Sequence, residues 1–299
     1  SVLTGEGDAR TPMLVLFGST VLNIVLDALF ILVLDLGLRG AALATVASVV
    51  VSLSTFAFLI LRRRTAYVRF RVVNLAPSRS VLSRLVALAA PTAAGMAVMA
   101  VGGLLLNRLL AGFGELSVAA YGAASKVDMI VALPIMGLAG AAVSVVGMFA
   151  GAGRVDLVRS TALYTYRWAV LLASLIGIAA FLGSHRILSL FTDDTQAISI
   201  GHTYLGFMIL AYPMMAFGMT SGRLLQGIGY GVPSLLITSF RVLIVGVPLA
   251  YALVLLLDVP IEAVWGSLLT GGLFSTILSF WWVRRLVWMD DPTARARLQ

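Results

Sequence analysis

Cysteine is absent from this chain, and histidine occurs only twice, at His185 and His202. The first absence excludes disulfides and cysteine-ligated metals. The two histidines are too far apart in sequence to form a helical metal pair. Charge is scarce too: 11% of the 299 residues, against about 25% in ordinary soluble domains. With 60% hydrophobic residues, the composition describes an all-α polytopic membrane protein and no soluble globular fold. No convergent set of His, Asp and Ser suggests an enzyme, and no repeated ring of polar residues suggests a channel. Neither a metal nor an organic cofactor is expected.

What charge there is has a pattern. The net charge is +8, carried almost wholly by arginine, and the arginines cluster between apolar spans. A positive-inside bias accounts for that placement, and a nucleic-acid face does not. A helical crossing needs about 20 mainly apolar residues. Eight stretches qualify: Pro12–Leu34, Gly40–Leu61, Leu85–Leu110, Ser117–Ala150, Leu157–Leu182, Ile198–Leu225, Val232–Leu257 and Ile261–Val287. The fourth is over-long and is expected to open with an interfacial turn. Between the second and third lies a link holding Arg62, Arg63, Arg64, Arg69, Arg71, Arg79 and Arg84. That density fixes it as cytoplasmic, and its apolar members, Tyr67 to Val73, suggest an amphipathic piece on the membrane surface. Alternation then places Arg10, Arg154, Arg159, Arg223, Arg284 and Arg285 on the same side, and both chain ends in the cytoplasm of a cell (inner) membrane.

One acid interrupts the first span. In Leu22-Asn23-Ile24-Val25-Leu26-Asp27, Asn23 and Asp27 are the only strongly polar residues between Pro12 and Leu34. A carboxylate at that depth costs about 2.5–3.5 kcal/mol on insertion scales and is read as functional by default. Spacing of four puts both side chains on one helix face. A carboxylate and an amide there can take up a proton or offer oxygens to sodium.

The chain also repeats itself. Leu3-Thr4-Gly5-Glu6-Gly7 with Pro12 precedes two spans, and Leu225-Gln226-Gly227-Ile228-Gly229 with Pro233 precedes two more. Both turns fall on the cytoplasmic side, so the repeats are parallel, related by an axis along the membrane normal. The second pair closes a set of six spans starting at Leu85. The first pair would close an earlier set, which predicts a fragment lacking four helices. The expected organisation is 1–61 as the last two helices of a first lobe, 62–84 as the basic link, 85–289 as a six-helix lobe and 290–299 as a tail.

Gly5-Glu6-Gly7-Asp8-Ala9-Arg10-Thr11-Pro12-Met13, Leu22 to Asp27, and Arg39-Gly40-Ala41-Ala42-Leu43-Ala44-Thr45 resemble the fifth and sixth helices of the multidrug and toxic compound extrusion (MATE) family. Leu133-Pro134-Ile135-Met136-Gly137-Leu138, followed by Gly151-Ala152-Gly153-Arg154, is similar to its eighth helix and the loop after it. The resemblance runs from about residue 3 to 289. It implies a monomeric, cation-coupled antiporter of twelve helices, driven by H+ or Na+, that exports amphipathic, often cationic, organic compounds by alternating access. A related class flips lipid-linked sugar precursors, for which a strongly cationic cavity would speak. The family's coupling-ion motif matches Asn23, Asp27 and Thr45, while its remaining ligands lie on helices not present here. The span from Ser234 to Leu257 holds no Asp, Glu, Asn or Gln, which looks more like the DNA-damage-inducible branch, with ion chemistry in the first lobe.

Two further features belong to the second lobe. Met208, Met215 and Met219 share a face of the sixth span, near Tyr212. Methionine surfaces repack around varied apolar ligands, so these four residues are the candidate substrate wall. Asp128, with Lys126 and Arg108, is placed near the outer end of its helix and reads as an interfacial or interhelical ion pair. Gly147 and Gly151 form a small-residue pair that should let helices approach closely.

Overall fold

The structure, a computed structural model, describes residues 2–5, 7–62, 78–257 and 259–288. Among these, all regular structure is helical. Eight helices are long and apolar enough to cross a membrane: α1 (Arg10–Val33), α2 (Gly37–Ile60), α3 (Arg79–Ala111), α4 (Glu115–Gly151), α5 (Val155–Leu182), α6 (Thr195–Gly227), α7 (Val232–Leu257) and α8 (Glu262–Trp288). All eight expected spans are therefore present, with ends displaced where helix outruns hydropathy. α3 begins at Arg79, because Arg79-Ser80-Val81-Leu82-Ser83 continues the helix ahead of its apolar part. α4 runs unbroken from Glu115 through Pro134 instead of opening with a separate turn. Most of the basic link and the whole tail lie outside the described residues.

The chain divides into two compact units, 1–78 and 79–299. In the first, α1 packs on α2 across a tight turn in which Asp35 and Gly37 take positive φ (50° and 52°). The Ser19 hydroxyl donates to the Ser48 carbonyl at 3.0 Å. A Cβ on Gly40 would stand 2.9 Å from the Phe30 backbone, so only glycine permits that approach. In the second unit α6 is central and packs on α4, α5 and α8. The buried stripe of α5 is Val158, Ala162, Thr165, Tyr166, Ala169, Ala173, Gly177 and Ala180. Small residues at helical spacing allow backbones to close on one another where lipid removes the usual hydrophobic drive. Gly147 takes part in such a contact, 3.3 Å from its Cβ position to the Gly227 carbonyl, whereas Gly151 faces open space.

The two repeat turns close identically. Gly7 N–H donates to Thr4 O (3.1 Å) and Asp8 N–H to Leu3 O (2.9 Å); Gly229 N–H donates to Gln226 O (3.0 Å) and Tyr230 N–H to Leu225 O (2.8 Å). Both glycines have positive φ, 88° and 91°. This is the glycine-dependent closure that satisfies the last carbonyls of a helix. It also recurs at Gly153, so the turn alone proves little, but here it precedes proline and two spans both times.

Sequence periodicity did not reveal the wide turns. α1 becomes π-helical at Ala28–Val33, α7 at Phe240–Gly246 and α8 at Arg284–Trp288. Such turns are rare and concentrate at functional sites. In α7 the wide turn ends just before Pro248, whose missing N–H removes one helical bond in any case.

Candidate functional site

Two polar places stand out, one in each unit. In the first, Ser19 and Phe30 mark the face of α1 that meets α2. Asn23 and Asp27 lie between them, half-buried, opposite the Gly40–Ser48 stretch of α2. Asn23 Nδ2 and Asp27 Oδ1 are shielded from solvent and have no hydrogen-bond partner. Thr220 Oγ1, Trp265 Nε1 and Trp282 Nε1 in the second unit share that condition, but only Asn23 and Asp27 are paired one helical turn apart. Leaving a buried polar group unsatisfied costs about 1–3 kcal/mol, more for a charge. A proton or small cation on the carboxylate would relieve it. Thr45 stands at the level of Asn23, next to buried Ala44, yet it is exposed and its hydroxyl donates to Ala41 O at 3.0 Å on its own helix. The pair and the threonine are thus neighbours in register without a hydrogen bond through Asn23 Nδ2.

The second place is a cavity of about 480 Å³ within unit 79–299, walled by α3, α4, α6, α7 and α8. That volume suits a small organic molecule. Its apolar wall is methionine: Met96 and Met99 from α3, Met129 and Met136 from α4, Met215 and Met219 from α6. Its polar wall includes Asp128, Arg223, Gln226, Ser234, Thr238 and Arg241. Arg241 sits in the wide turn of α7, which is held from two sides. A Cβ on Gly271 of α8 would come within 3.2 Å of Gly246 Cα, and Gly102 of α3 leaves room for Val242. The Arg241 guanidinium reaches Met99 Sδ at 3.2 Å. Arg223 donates to Gln226 Oε1 at 3.4 Å, and Gln226 in turn donates to Ser234 Oγ at 3.0 Å. Among the described residues neither arginine has an ion-pair partner; the one such pair described, Arg154 with Asp156 at 2.9 Å, is exposed and away from the cavity.

Asp128 corrects the sequence reading. It pairs with neither Lys126 nor Arg108, and it is not at the outer end of its helix. At about 1.5 Å rise per residue it lies about 20 Å along α4 from Glu115. Tyr204 donates to Oδ2 at 2.5 Å and Tyr212 to Oδ1 at 2.7 Å. Tyr204 is fixed by an aromatic cluster, edge-on to Tyr121 (centroids 5.6 Å) and to Trp265 (4.9 Å). Tyr212 is fully buried against α5, where Gly177 makes room for its ring. Both carboxylate oxygens are therefore engaged by the scaffold.

Of the expected substrate wall, Met215 and Met219 line the cavity. Met208 packs instead against the buried clusters of the bundle. Tyr212 acts on the cavity only through Asp128. The residues missed were Arg223, Arg241 and the methionines of α3 and α4. A signal existed for the last: Met96 with Met99, and Met129 with Met136, recur at the three- or seven-residue spacing of one helix face. Among the described residues no group of three His, Asp or Glu converges as a metal site.

Comparison with known proteins places this geometry. The MatE family model matches residues 91–252. The probable multidrug resistance protein NorM of Thermotoga maritima is 27% identical over 282 residues, covering 93% of this chain and 60% of that protein. A solved outward-facing multidrug resistance MATE family transporter of the MOP superfamily superposes with a TM-score of 0.89 at 30% identity, over 95% of this chain and 64% of that one. A MOP superfamily transporter from Pyrococcus furiosus, for which reverse polarity of the binding pocket suggests a different function, superposes with a TM-score of 0.89 at 31% identity, over 95% and 64%. This chain thus spans about three fifths of the length of such relatives. A family match over more than half of the residues, joined to eight membrane-length helices in the arrangement of solved relatives, makes the chain a multi-pass membrane protein belonging to the MATE family of transporters.

Proposed function

We propose that this chain works in a cation-coupled antiporter that exports amphipathic organic compounds, with Asp27 and Asn23 as the coupling site. The observation that carries this is the pair of buried, unpartnered polar atoms on α1, Asn23 Nδ2 and Asp27 Oδ1. A mid-span carboxylate left without a fixed partner can exchange a proton or Na+ as the site alternates between the two sides. Thr45, level with the pair, would supply a further oxygen once its hydroxyl turns away from Ala41. The charge asymmetry of the loops supports an inner-membrane orientation with both ends cytoplasmic. The transporter is proposed to act as a monomer, with no cofactor beyond the coupling ion. The flippase alternative is not favoured, since matched relatives such as NorM and MepA carry multidrug names and one is named an FAD transporter.

Asp27→Asn tests the proposal, because it keeps the hydrogen-bonding shape and removes the exchangeable charge. In energised vesicles carrying the full-length transporter, dye efflux across a pH or sodium step should be lost while expression and membrane insertion stay normal. Efflux at the wild-type rate would show that Asp27 is structural and would end the assignment.

A further inference from the structure

We propose that the cavity of unit 79–299 binds an amphipathic organic anion, with its acidic group on Arg241 and Arg223 and its apolar body among the methionines. The inference deepens the export reading by naming a cargo class, and it rests on that reading only for its purpose. Three observations carry it. First, the cavity wall bears two guanidiniums and one carboxylate. Second, the carboxylate is already engaged: both Asp128 oxygens accept from tyrosine hydroxyls at 2.5 and 2.7 Å. The guanidiniums are not. Arg241, with five N–H donors, has for its partner a thioether sulfur, a weak acceptor, at 3.2 Å. Arg223 has one long bond of 3.4 Å to an amide oxygen. A cation at the depth of Arg241 without a counter-charge is costly, and a carboxylate, sulfonate or phosphate on the ligand supplies the missing charge in a geometry the guanidinium fork matches.

Third, the charges are separated along the bundle. Arg223 lies near the Gly227 end of α6, and Arg241 about 14 Å along α7 from Val232, at about 1.5 Å per residue. Asp128, on α4, is held at the level of Tyr204 and Tyr212 of α6, well away from the α6–α7 turn. An anion at Arg241 is thus offset from the one acid of the wall. Met96, Met99, Met215 and Met219 line the cavity and supply an adaptable apolar sleeve. A simple inorganic ion would leave that sleeve unfilled, so the ligand must carry an apolar body as well as an acid.

The test uses two dyes with the same three-ring body and opposite charge, fluorescein and rhodamine 123, titrated by fluorescence anisotropy against the full chain in a neutral detergent. Fluorescein should bind and rhodamine 123 should bind more weakly. Arg241→Gln should weaken fluorescein about 10- to 100-fold, the loss of a charged hydrogen-bonded contact. Arg241→Lys should retain part of the affinity, and Arg223→Gln should cost less than Arg241→Gln. Arg154→Gln, a guanidinium outside the cavity, controls for overall charge. Where Arg241→Gln fails to give a monodisperse protein, Arg241→Lys and Arg223→Gln decide. Stronger binding of rhodamine 123, or fluorescein binding indifferent to both arginines, overturns the proposal. Phosphatidylglycerol in the micelle separates the two sources of anion: Arg241-dependent displacement of fluorescein assigns the site to a lipid headgroup, and no displacement assigns it to a soluble acid. No gradient enters the assay, so failure of coupling at Asp27 and failure of anion binding at Arg241 are read independently.

Discussion

Gly177→Ala adds one methyl group on α5, and the structure puts that methyl 2.5 Å from Tyr212 Cδ2 and 3.2 Å from Cε2. Carbon atoms pack at about 3.5–4.0 Å, so the Tyr212 ring or the helix must retreat by about 1 Å. The ring is fully buried among Val131, Ile135, Ala169, Ala173 and Ala216. Overpacking of this kind costs about 1–3 kcal/mol. Retreat also pulls the hydroxyl from Asp128 Oδ1, now at 2.7 Å; an interhelical bond in a membrane is worth about 0.6 kcal/mol on average and up to about 1.7. Gly→Ala in a helix returns at most about 1 kcal/mol. The net expectation is a destabilisation of about 2 kcal/mol, read as a lowered melting temperature of the purified protein. Tyr212→Phe alone removes only the hydrogen bond and should cost less. Tyr212→Leu on the Gly177→Ala background should recover stability relative to the sum of the two single changes, because the shorter side chain clears the methyl. A Gly177→Ala protein that melts like wild type, or strict additivity in the pair, refutes the packing argument.

Two smaller predictions follow from local geometry. Asp194 caps α6, its Oδ1 accepting from Gln196 N–H at 2.8 Å and Ala197 N–H at 3.1 Å; Asp194→Ala should cost about 1 kcal/mol in a thermal melt, and no change would mean that the helix end is held by packing alone. Gly40→Leu should separate α1 from α2, because its Cβ would stand 2.9 Å from Phe30 backbone atoms that cannot rotate away. In this cysteine-free chain, cysteines placed at Ser19 and Ser48 should cross-link through a short bismaleimide before the change and poorly after it; undiminished cross-linking would contradict the close approach.

The parts of this molecule written in short-range pattern were legible in the sequence. Hydropathic length found all eight helices, and the spacing of an acid and an amide in an apolar stretch singled out the pair whose polar atoms the structure leaves shielded and unpartnered. Asp128 was misread because its near neighbours in sequence are the wrong ones. Lys126, two residues away, points to a different face of α4, while the true partners, Tyr204 and Tyr212, lie on another helix. The cavity was illegible for the same reason: five helices contribute between one and six ordinary residues each, and only packing brings them together. The wide turns left no trace either, since the residues of Phe240–Gly246 and Ala28–Val33 are those of any apolar helix. The displaced start of α3 reflects a different limit, because hydropathy reports where a chain can be buried and not where its backbone bonds end.

The duplication itself then acquires a physical meaning. Aligning Pro12 with Pro233 sets Asp27 opposite Pro248, Asn23 opposite Ile244 and Thr20 opposite Arg241. The wide turn of α1 begins directly after Asp27, and that of α7 ends just before Pro248. The same joint is thus widened in both copies, from opposite sides, and each copy carries its ionisable group near the widening. The sign differs: a carboxylate on α1, a guanidinium on α7. Helices with opposite charge at this depth favour opposite ligand charges, since a cation that relieves a carboxylate is repelled by an arginine. The proposed division of labour, with a coupling cation at Asp27 and the acidic end of a cargo at Arg241, rests on that sign.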